Sequence, residues 1–294
     1  MNYLLLGGAG FIGTHLAKDL IDEGHEVTVI DSLETSKPPD SAVAFIQGNI
    51  LELDLSEVMR RADIVYYLAG SVGVKHIDQN PSLTLFNNIE LMTKLVPLFE
   101  EHQKKVIFSS TSEVYGEGPF SEGNNLSIGP PHKLRWGYAC AKLMTEFMIK
   151  ASSFPSVIIR FFNVVGPGQS SKYGMVLPNF IEKAKKGEPL VVYGDGEQIR
   201  CFCHIKDAVQ GLRLLETEEG IFNIGKETET PIKELALLVL ELTESDSVIE
   251  FRPYEKDFSK EHGDIMKRVP VLDAIRNLGY APKHTLTDII KEMI

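Results

Sequence analysis

Gly7-Gly8-Ala9-Gly10-Phe11-Ile12-Gly13 lies between a short apolar run, Tyr3–Leu6, and a segment, Phe11–Glu23, whose apolar residues recur at helical spacing until Gly24. An apolar run that ends in glycines reads as a buried parallel strand, so the three pieces make a strand, a turn and a helix. Gly7 permits the tight turn, Gly10 lets a pyrophosphate approach the backbone, and Gly13 lets helix and strand pack closely. The helix N-terminus offers free N–H groups and a partial positive charge to phosphates. Asp31 closes the next strand, Glu26–Ile30, where a carboxylate can accept the ribose hydroxyls of a dinucleotide and repel a 2′-phosphate. The expected cofactor is therefore NAD rather than NADP. Phe11, Ile12 and Ser32 flank these positions and join them as candidate cofactor contacts.

The pattern of the first half repeats. Ala44–Gln47, Asp63–Ala69, Lys105–Ser109 and Val157–Phe161 read as strands, and Pro81–His102 and Trp136–Ala151 as helices, with Pro97 expected to kink or break the first. A proline-bearing loop fills 31–40. Strands alternating with helices imply an α/β fold with a doubly wound parallel sheet. After Asn163 the texture changes: Gly166, Pro167, Gly168 and Gly174 punctuate a loop. Leu177–Lys186, His204–Leu215 and Lys233–Leu240 read as helices, and Leu190–Tyr193 and Ile221–Ile224 as strands, so a second, smaller lobe interleaves with the first. The charged stretch 255–268 reads as a solvated loop or short helix.

The 294 residues carry 43% hydrophobic side chains and a formal charge of −11. That is enough apolar material for a sizeable core, and the charge argues against an extended nucleic-acid track. Cys140, Cys201 and Cys203 make neither a disulfide framework nor a zinc pair, and are expected to be buried reduced thiols; no metal is expected. There is no transmembrane run and the N-terminus does not resemble a signal peptide, so a cytoplasmic location is expected.

Tyr138-Ala139-Cys140-Ala141-Lys142 places a phenol and an ammonium four residues apart on one helix face. A phenol near its reference value of ~10 is a poor base at neutral pH, but a nearby cation favours phenolate. Tyr138 could then take a proton from a hydroxyl while hydride leaves the carbon that carries it. This spacing is common on ordinary helices. What sets it apart here is Ser109-Ser110-Thr111-Ser112-Glu113, at the C-terminal end of a strand, where doubly wound sheets hold ligands. Thr111 can hydrogen-bond the reacting hydroxyl. Glu113 reads equally well as a functional group and as a strand-end carboxylate.

These motifs, with W-G-Y-A-C-A-K, R-F-F-N-V-V-G-P, V-Y-G-D-G, R-C-F-C-H-I-K-D, F-N-I-G and L-G-Y-A-P, resemble the nucleotide-sugar epimerase/dehydratase family of the extended short-chain dehydrogenase/reductase superfamily. The resemblance spans nearly the whole chain. It implies a Rossmann-type domain over 1–163, completed by parts of 201–224, and a region over 164–294 that mainly binds a sugar nucleotide. It implies catalytic roles for Thr111, Tyr138 and Lys142, with Ser112 and Glu113 beside them. Asn49 and Ile50 fall where the family flanks the adenine, the Asn standing in place of an Asp. Leu68, Ala69, Gly70, Asn88 and Ser109 fall at cofactor positions. Asn163 and Arg200 fall where the family meets the substrate diphosphate; the other reading of Arg200 is a surface salt bridge. The Trp136–Ala151 helix resembles one used in a four-helix dimer interface, so a homodimer is expected, with a UDP-sugar as the substrate partner and no nucleic acid or membrane partner.

The family begins by oxidising the sugar, usually at C4, and then diverges. Ser112 in place of an Asp speaks against the 4,6-dehydratase reaction. Thr-Ser-Glu and R-W-x-Y resemble the UDP-glucuronate decarboxylases, whereas Gly168 stands where those enzymes carry arginine. The reading favoured by this mixed signature is UDP-sugar 4-epimerase, followed by UDP-glucuronate decarboxylase and then dehydratase. An NAD-binding regulator is the non-enzymatic alternative.

Overall fold

The computed structural model describes residues 1–39, 42–70, 81–134, 136–256 and 265–294. Its centre is a seven-stranded parallel sheet: β1 (Asn2–Leu6), β2 (Glu26–Asp31), β3 (Ala44–Gln47), β4 (Ile64–Tyr67), β5 (Lys105–Thr111), β6 (Ser156–Phe161) and β11 (Gly220–Ile224). The strands lie in the order β11-β6-β5-β4-β1-β2-β3. Chain order reverses beside β1, which opens a crevice at the C-terminal strand ends, where such sheets bind ligands. Consecutive strand residues point to opposite faces. Leu5, Val27, Val29, Tyr66, Ile107 and Val157 therefore meet α1 (Phe11–Asp22) and α6 (Ile205–Leu214) in one core. Leu4, Leu6, Val65, Tyr67, Phe108 and Ile158 pack on the other face in a second core. That face is covered by α2 (Ser56–Arg61), α3 (Pro81–His102) and α4 (Trp136–Ala151).

The smaller C-terminal region builds its own core from α5 (Val176–Lys185), α7 (Ile232–Leu242) and α9 (Leu286–Met293), packed with β8 (Leu190–Tyr193), which pairs with β13 (Ile249–Arg252). Short strands tie this region to the sheet end. β7 (Val164–Val165) pairs with β10 (Cys203–His204), and β9 (Ile199–Arg200) lies between β12 (Thr230–Pro231) and β14 (Lys267–Arg268). The remaining helix, α8 (Asp273–Arg276), packs near β11. No helix among the described residues is long and apolar enough to cross a membrane.

Three expectations need correction. Pro97 does not break α3, which runs unbroken from Pro81 to His102. Leu91, Met92, Leu95 and Phe99 are buried on both sides of the proline, and this packing holds the helix despite one lost hydrogen bond. Cys140 is exposed, unlike the buried Cys201 and Cys203, because position 140 falls on the outward face of α4. The stretch 255–268, expected to be a solvated loop or short helix, does begin in a short 3₁₀ helix, Tyr254–Lys256, but ends in a strand: Lys267–Arg268 form β14, and the Arg268 side chain is only 12% exposed. Residues 257–264 lie outside the described residues, as do Asp40, Ser71 and Arg135 of the R-W-x-Y motif.

Candidate active site

The loop after β1 has the shape a pyrophosphate requires. Gly7 has φ +78°, and a Cβ there would lie 2.5 Å from the Ala69 backbone. A Cβ at Gly13 would lie 2.5 Å from the Gly8 carbonyl oxygen, so α1 can reach the loop only without a side chain. At Gly10 the nearest atom to a Cβ would be the Gly7 oxygen at 3.5 Å, which leaves the loop's outer side open. The N-cap of α1 is Gly10, with no side-chain cap and no acidic residue in the first turn. Its first N–H groups thus face the open side with no carboxylate to compete for them, which suits an anion. Phe11 and Ile12 begin this turn and pack partly against the core.

Asp31 is held at the end of β2. Its Oδ2 accepts the Ala9 N–H at 3.0 Å, and its Oδ1 accepts the Leu33 N–H at 2.8 Å and the Ser36 hydroxyl at 2.9 Å. The carboxylate is thereby fixed beside the glycine loop, with lone pairs left for ribose hydroxyls. Ser32 follows it and is exposed. Asn49 turns its carbonyl back onto the Leu51 N–H at 3.0 Å, which leaves its amide N–H₂ as the donor for an adenine ring; Ile50 beside it is buried. Leu68, Ala69 and Gly70 follow β4 on the floor of the crevice, half-buried. A Cβ at Gly70 would meet Asn88 Oδ1 at 2.7 Å and Lys142 Nζ at 3.1 Å, so three candidate positions converge there. Asn88 is buried on α3, and its amide donates to the Thr84 carbonyl at 2.7 Å.

α4 carries Tyr138 and Lys142 to the end of β5. Lys142 Nζ donates to the Ser109 carbonyl at 3.0 Å and lies 4.9 Å from the centre of the Phe108 ring. Burial lowers its pKa to about 8, and the nearby charge of Glu146 acts in the opposite sense. The Ser109 hydroxyl donates to the Tyr67 carbonyl at 3.1 Å, which ties β5 to β4. Tyr138 is half-buried; desolvation raises its phenol above the usual range, the Glu113 charge adds to this, and a hydrogen bond with Thr111 works against it. In this protein–only environment the phenol is neutral, and a bound cation would be needed to bring it towards phenolate. Thr111 also caps the 3₁₀ turn Ser112–Tyr115 by accepting the Glu113 N–H at 3.2 Å. Ser112 is buried at 2% exposure, so it packs inside that turn, whereas Glu113 keeps a side-chain exposure of 20%.

The C-terminal region contributes arginines. Arg200 is buried at 8% exposure rather than forming a surface salt bridge, and its Nη1 donates to the Ile199 and Ile265 carbonyls at 2.9 and 2.7 Å. Arg200 and Arg268 are register partners across β9 and β14, so two guanidinium groups stand on adjacent strands. Arg268 forms an ion pair with Glu113 and reaches Asn163 Oδ1 at 3.4 Å. The Asn163 amide donates to the Cys201 carbonyl at 2.9 Å. Asn163, Arg200 and Glu113 therefore meet at the junction of the two regions, and Arg268 joins them. Sequence reading missed Arg268 because it lies in a charged stretch with no periodicity. The signal that could have found it is the change at Lys267-Arg268-Val269-Pro270-Val271 from two basic residues into a proline-bearing apolar run.

The arrangement brings to the C-terminal strand ends a glycine loop at an uncapped helix N-terminus, a fixed carboxylate and a phenol and an ammonium on one helix, with two arginines on adjacent strands of the C-terminal region. A sequence profile described as the NAD dependent epimerase/dehydratase family matches residues 3–225. The chain is 36% identical over 307 residues to the UDP-N-acetyl-alpha-D-glucosaminuronate decarboxylase of Bacillus cytotoxicus, covering 99% of this chain and 96% of that one. It is 33% identical to UDP-glucuronic acid decarboxylase 4 of Arabidopsis thaliana, covering 100% of this chain and 68% of that one. Among solved structures, the UDP-N-acetylglucosamine 4-epimerase of Methanobrevibacter ruminantium superposes with a TM-score of 0.89 at 29% identity, covering 99% of this chain and 96% of that one. The protein is an enzyme that uses NAD and modifies nucleotide sugars, and it belongs to the NAD dependent epimerase/dehydratase family.

Proposed function

We propose that the enzyme decarboxylates a UDP-hexuronate. The observation that carries this reading is the end-to-end similarity to a uronate decarboxylase, at 36% identity over 99% of the chain. It moves the balance away from the 4-epimerase that the mixed sequence signature favours. One objection from sequence was Gly168, in place of an arginine. Gly168 has φ +83°, a conformation in which any other side chain is strained, so the cation must come from elsewhere. Arg268 is available: it stands beside Glu113 and Asn163, and its Nε is buried without a hydrogen-bond partner among the described residues. A guanidinium is suited to a carboxylate.

NAD, held by the glycine loop and Asp31, would supply the acceptor for the C4 hydride and the donor that gives it back. Tyr138 takes the C4 hydroxyl proton as the hydride leaves, and Thr111 orients the phenol and the hydroxyl together. Lys142 would hold the nicotinamide ribose, and its ammonium together with the positive charge that bound NAD would bring favours phenolate. Oxidation at C4 turns the uronate into a β-keto acid. The bond from C5 to the carboxyl carbon then breaks, carbon dioxide leaves, and its electron pair is delocalised onto the C4 oxygen beside the Tyr138 hydroxyl. Water supplies a proton to C5, and when C4 is reduced the Tyr138 hydroxyl gives the C4 oxygen back the proton it took. Arg200 and Arg268 hold the anionic groups of the substrate.

The second reading, 4-epimerisation, is favoured by the TM-score of 0.89 to a UDP-N-acetylglucosamine 4-epimerase, and uses the same Tyr138 and Lys142. Mass analysis of products from UDP-glucuronate, UDP-N-acetylglucosaminuronate, UDP-glucose and UDP-N-acetylglucosamine separates the two. Loss of carbon dioxide from either uronate is expected. A product of unchanged mass, formed from any of the four, would replace decarboxylation with epimerisation.

A further inference from the structure

Beneath Lys142 lies a buried charge network that the proposed chemistry does not use. Glu146 follows Lys142 by four residues on α4, so both side chains share the face turned to β5 and β6. Glu146 and Arg160 are only 3% and 2% exposed and form a two-bond pair: Nη2 to Oε2 at 2.6 Å and Nε to Oε1 at 3.1 Å. The Ser110 hydroxyl donates to the same Oε1. Ser110 lies between Ser109, whose carbonyl accepts from Lys142, and Thr111, which bonds Tyr138. Arg160 lies 4.7 Å from the centre of the Tyr115 ring, and the Tyr115 hydroxyl donates to Asn223 at 2.8 Å. One carboxylate thus links the helix that carries the Tyr–Lys couple, the strand that carries Thr111, and the two strands beyond it.

We propose that Glu146 is a positioning residue for the Tyr138–Lys142 couple: held by Arg160 and Ser110, its carboxylate is the fixed counter-charge one helical turn below Lys142 that keeps the ammonium aimed into the crevice. The inference rests on the proposed role of Lys142 in holding NAD. A buried ion pair is weak evidence of stability, since an apolar pair of similar size is often as good. Its persistence here matches a task that only a charge can perform. Burial works against the Lys142 ammonium, and Glu146 is the charge that offsets it. Among the described titratable groups, Glu146 is the one whose charge acts on Lys142, and Tyr138 shares its helix face. The groups that reach it from β5, α3 and the loop after β4 are Ser109, Phe108, Asn88 and Gly70, none of them charged.

The test is NAD affinity measured by calorimetry from pH 6 to 10. It is run in a Tyr138→Phe background so that the phenol does not titrate. Glu146→Gln alone strands Arg160 in the core and can prevent folding, so the main comparison is Glu146→Gln with Arg160→Met, which removes both charges together. In the parent, affinity falls as pH rises through the Lys142 value. In the paired variant, this fall is expected about one pH unit lower, with NAD bound roughly fivefold more weakly at pH 8. Glu146→Asp, which keeps the charge, should hold the midpoint near that of the parent. A folded paired variant with an unshifted midpoint would reduce Glu146 to a structural ion pair and overturn the inference. Lys142→Met serves as the control: if it leaves NAD affinity unchanged, the assigned role of Lys142 fails first, independently of Glu146.

Discussion

Tyr138 and Lys142 meet the crevice in opposite electrostatic circumstances. Burial keeps the phenol protonated and makes the ammonium easier to lose, yet at neutral pH Lys142 is still charged, so only the phenol has to change state to act as a base. Tyr138→Phe removes one oxygen and leaves the ring's packing. NAD binding should survive while turnover on the active sugar nucleotide falls by roughly 10²–10⁴. Near-parental turnover in a variant that still binds NAD would send the search for the base to Glu113. Lys142 also makes a prediction about stability. Its folded value, about 8, lies below the ordinary 10.5. Below about pH 8 both folded and unfolded chains carry the charge, and the folded chain bears the full desolvation cost. From about pH 8 to 10.5 the folded chain sheds the proton first, so the cost is relieved as pH rises. Without cofactor, Lys142→Met should therefore be more stable than the parent at pH 7, by about 1–3 kcal/mol after loss of the bond to Ser109, and the gap should narrow towards pH 10. Denaturant melts at the two pH values check this; a variant less stable at pH 7 would contradict it. The spacing of these two residues was legible in sequence because i and i+4 share a helix face. The reach of Arg268 to Glu113, across 155 residues of chain, was not, because nothing local prepares it.

Among the elements, the strands of the central sheet were readable to within a residue or two, because parallel strands covered on both faces are continuous apolar runs. β1, β4 and the apolar parts of β5 and β6 carry that signature, whereas β3, at the sheet edge, has no buried residue. α2, at six residues, has too few turns for its periodicity to show, and the sequence reading passed over it. β13 was also missed: Ile249–Arg252 alternates apolar and charged residues over only four positions, and becomes a strand by pairing with β8. α3 shows the reverse case, in which the local signal from Pro97 was clear and packing overrode it. The strand–loop–helix unit at the N-terminus is the most tightly specified element. Gly13→Ala drives a Cβ onto the carbonyl, Cα and carbon of Gly8, all backbone atoms that no rotamer change can move. The variant should lose about 1–3 kcal/mol of stability and bind NAD more weakly as the loop is pushed open. Differential scanning calorimetry with and without NAD would show both. An unchanged midpoint would mean that loop and helix are less tightly packed than the structure has them.

At the scale of the whole molecule, α3 and α4 pack side by side and present a shared apolar outer face. Leu83, Phe86, Met144 and Phe147 are 50%, 64%, 51% and 65% exposed. Large apolar residues grouped in this way on adjoining helices mark an association surface. We expect a second copy of the chain to cover it, giving a homodimer by sedimentation velocity. Phe86→Glu with Phe147→Glu should yield a folded monomer, and a parent that sediments as a monomer would remove the expectation. The strand–glycine loop–helix unit, the carboxylate at the end of β2 and the i, i+4 spacing of Tyr138 and Lys142 were all readable from sequence alone. Each is built within one strand, turn or helix, where spacing sets geometry. The tertiary structure alone decided what surrounds them. Arg268 meets Glu113 and Arg200 because β14 pairs with β9, and Glu146 lies under Lys142 against Arg160 because α4 packs on β5 and β6. Such contacts depend on which elements become neighbours in the folded chain, and a buried charge reveals its partner only once the desolvated space around it exists.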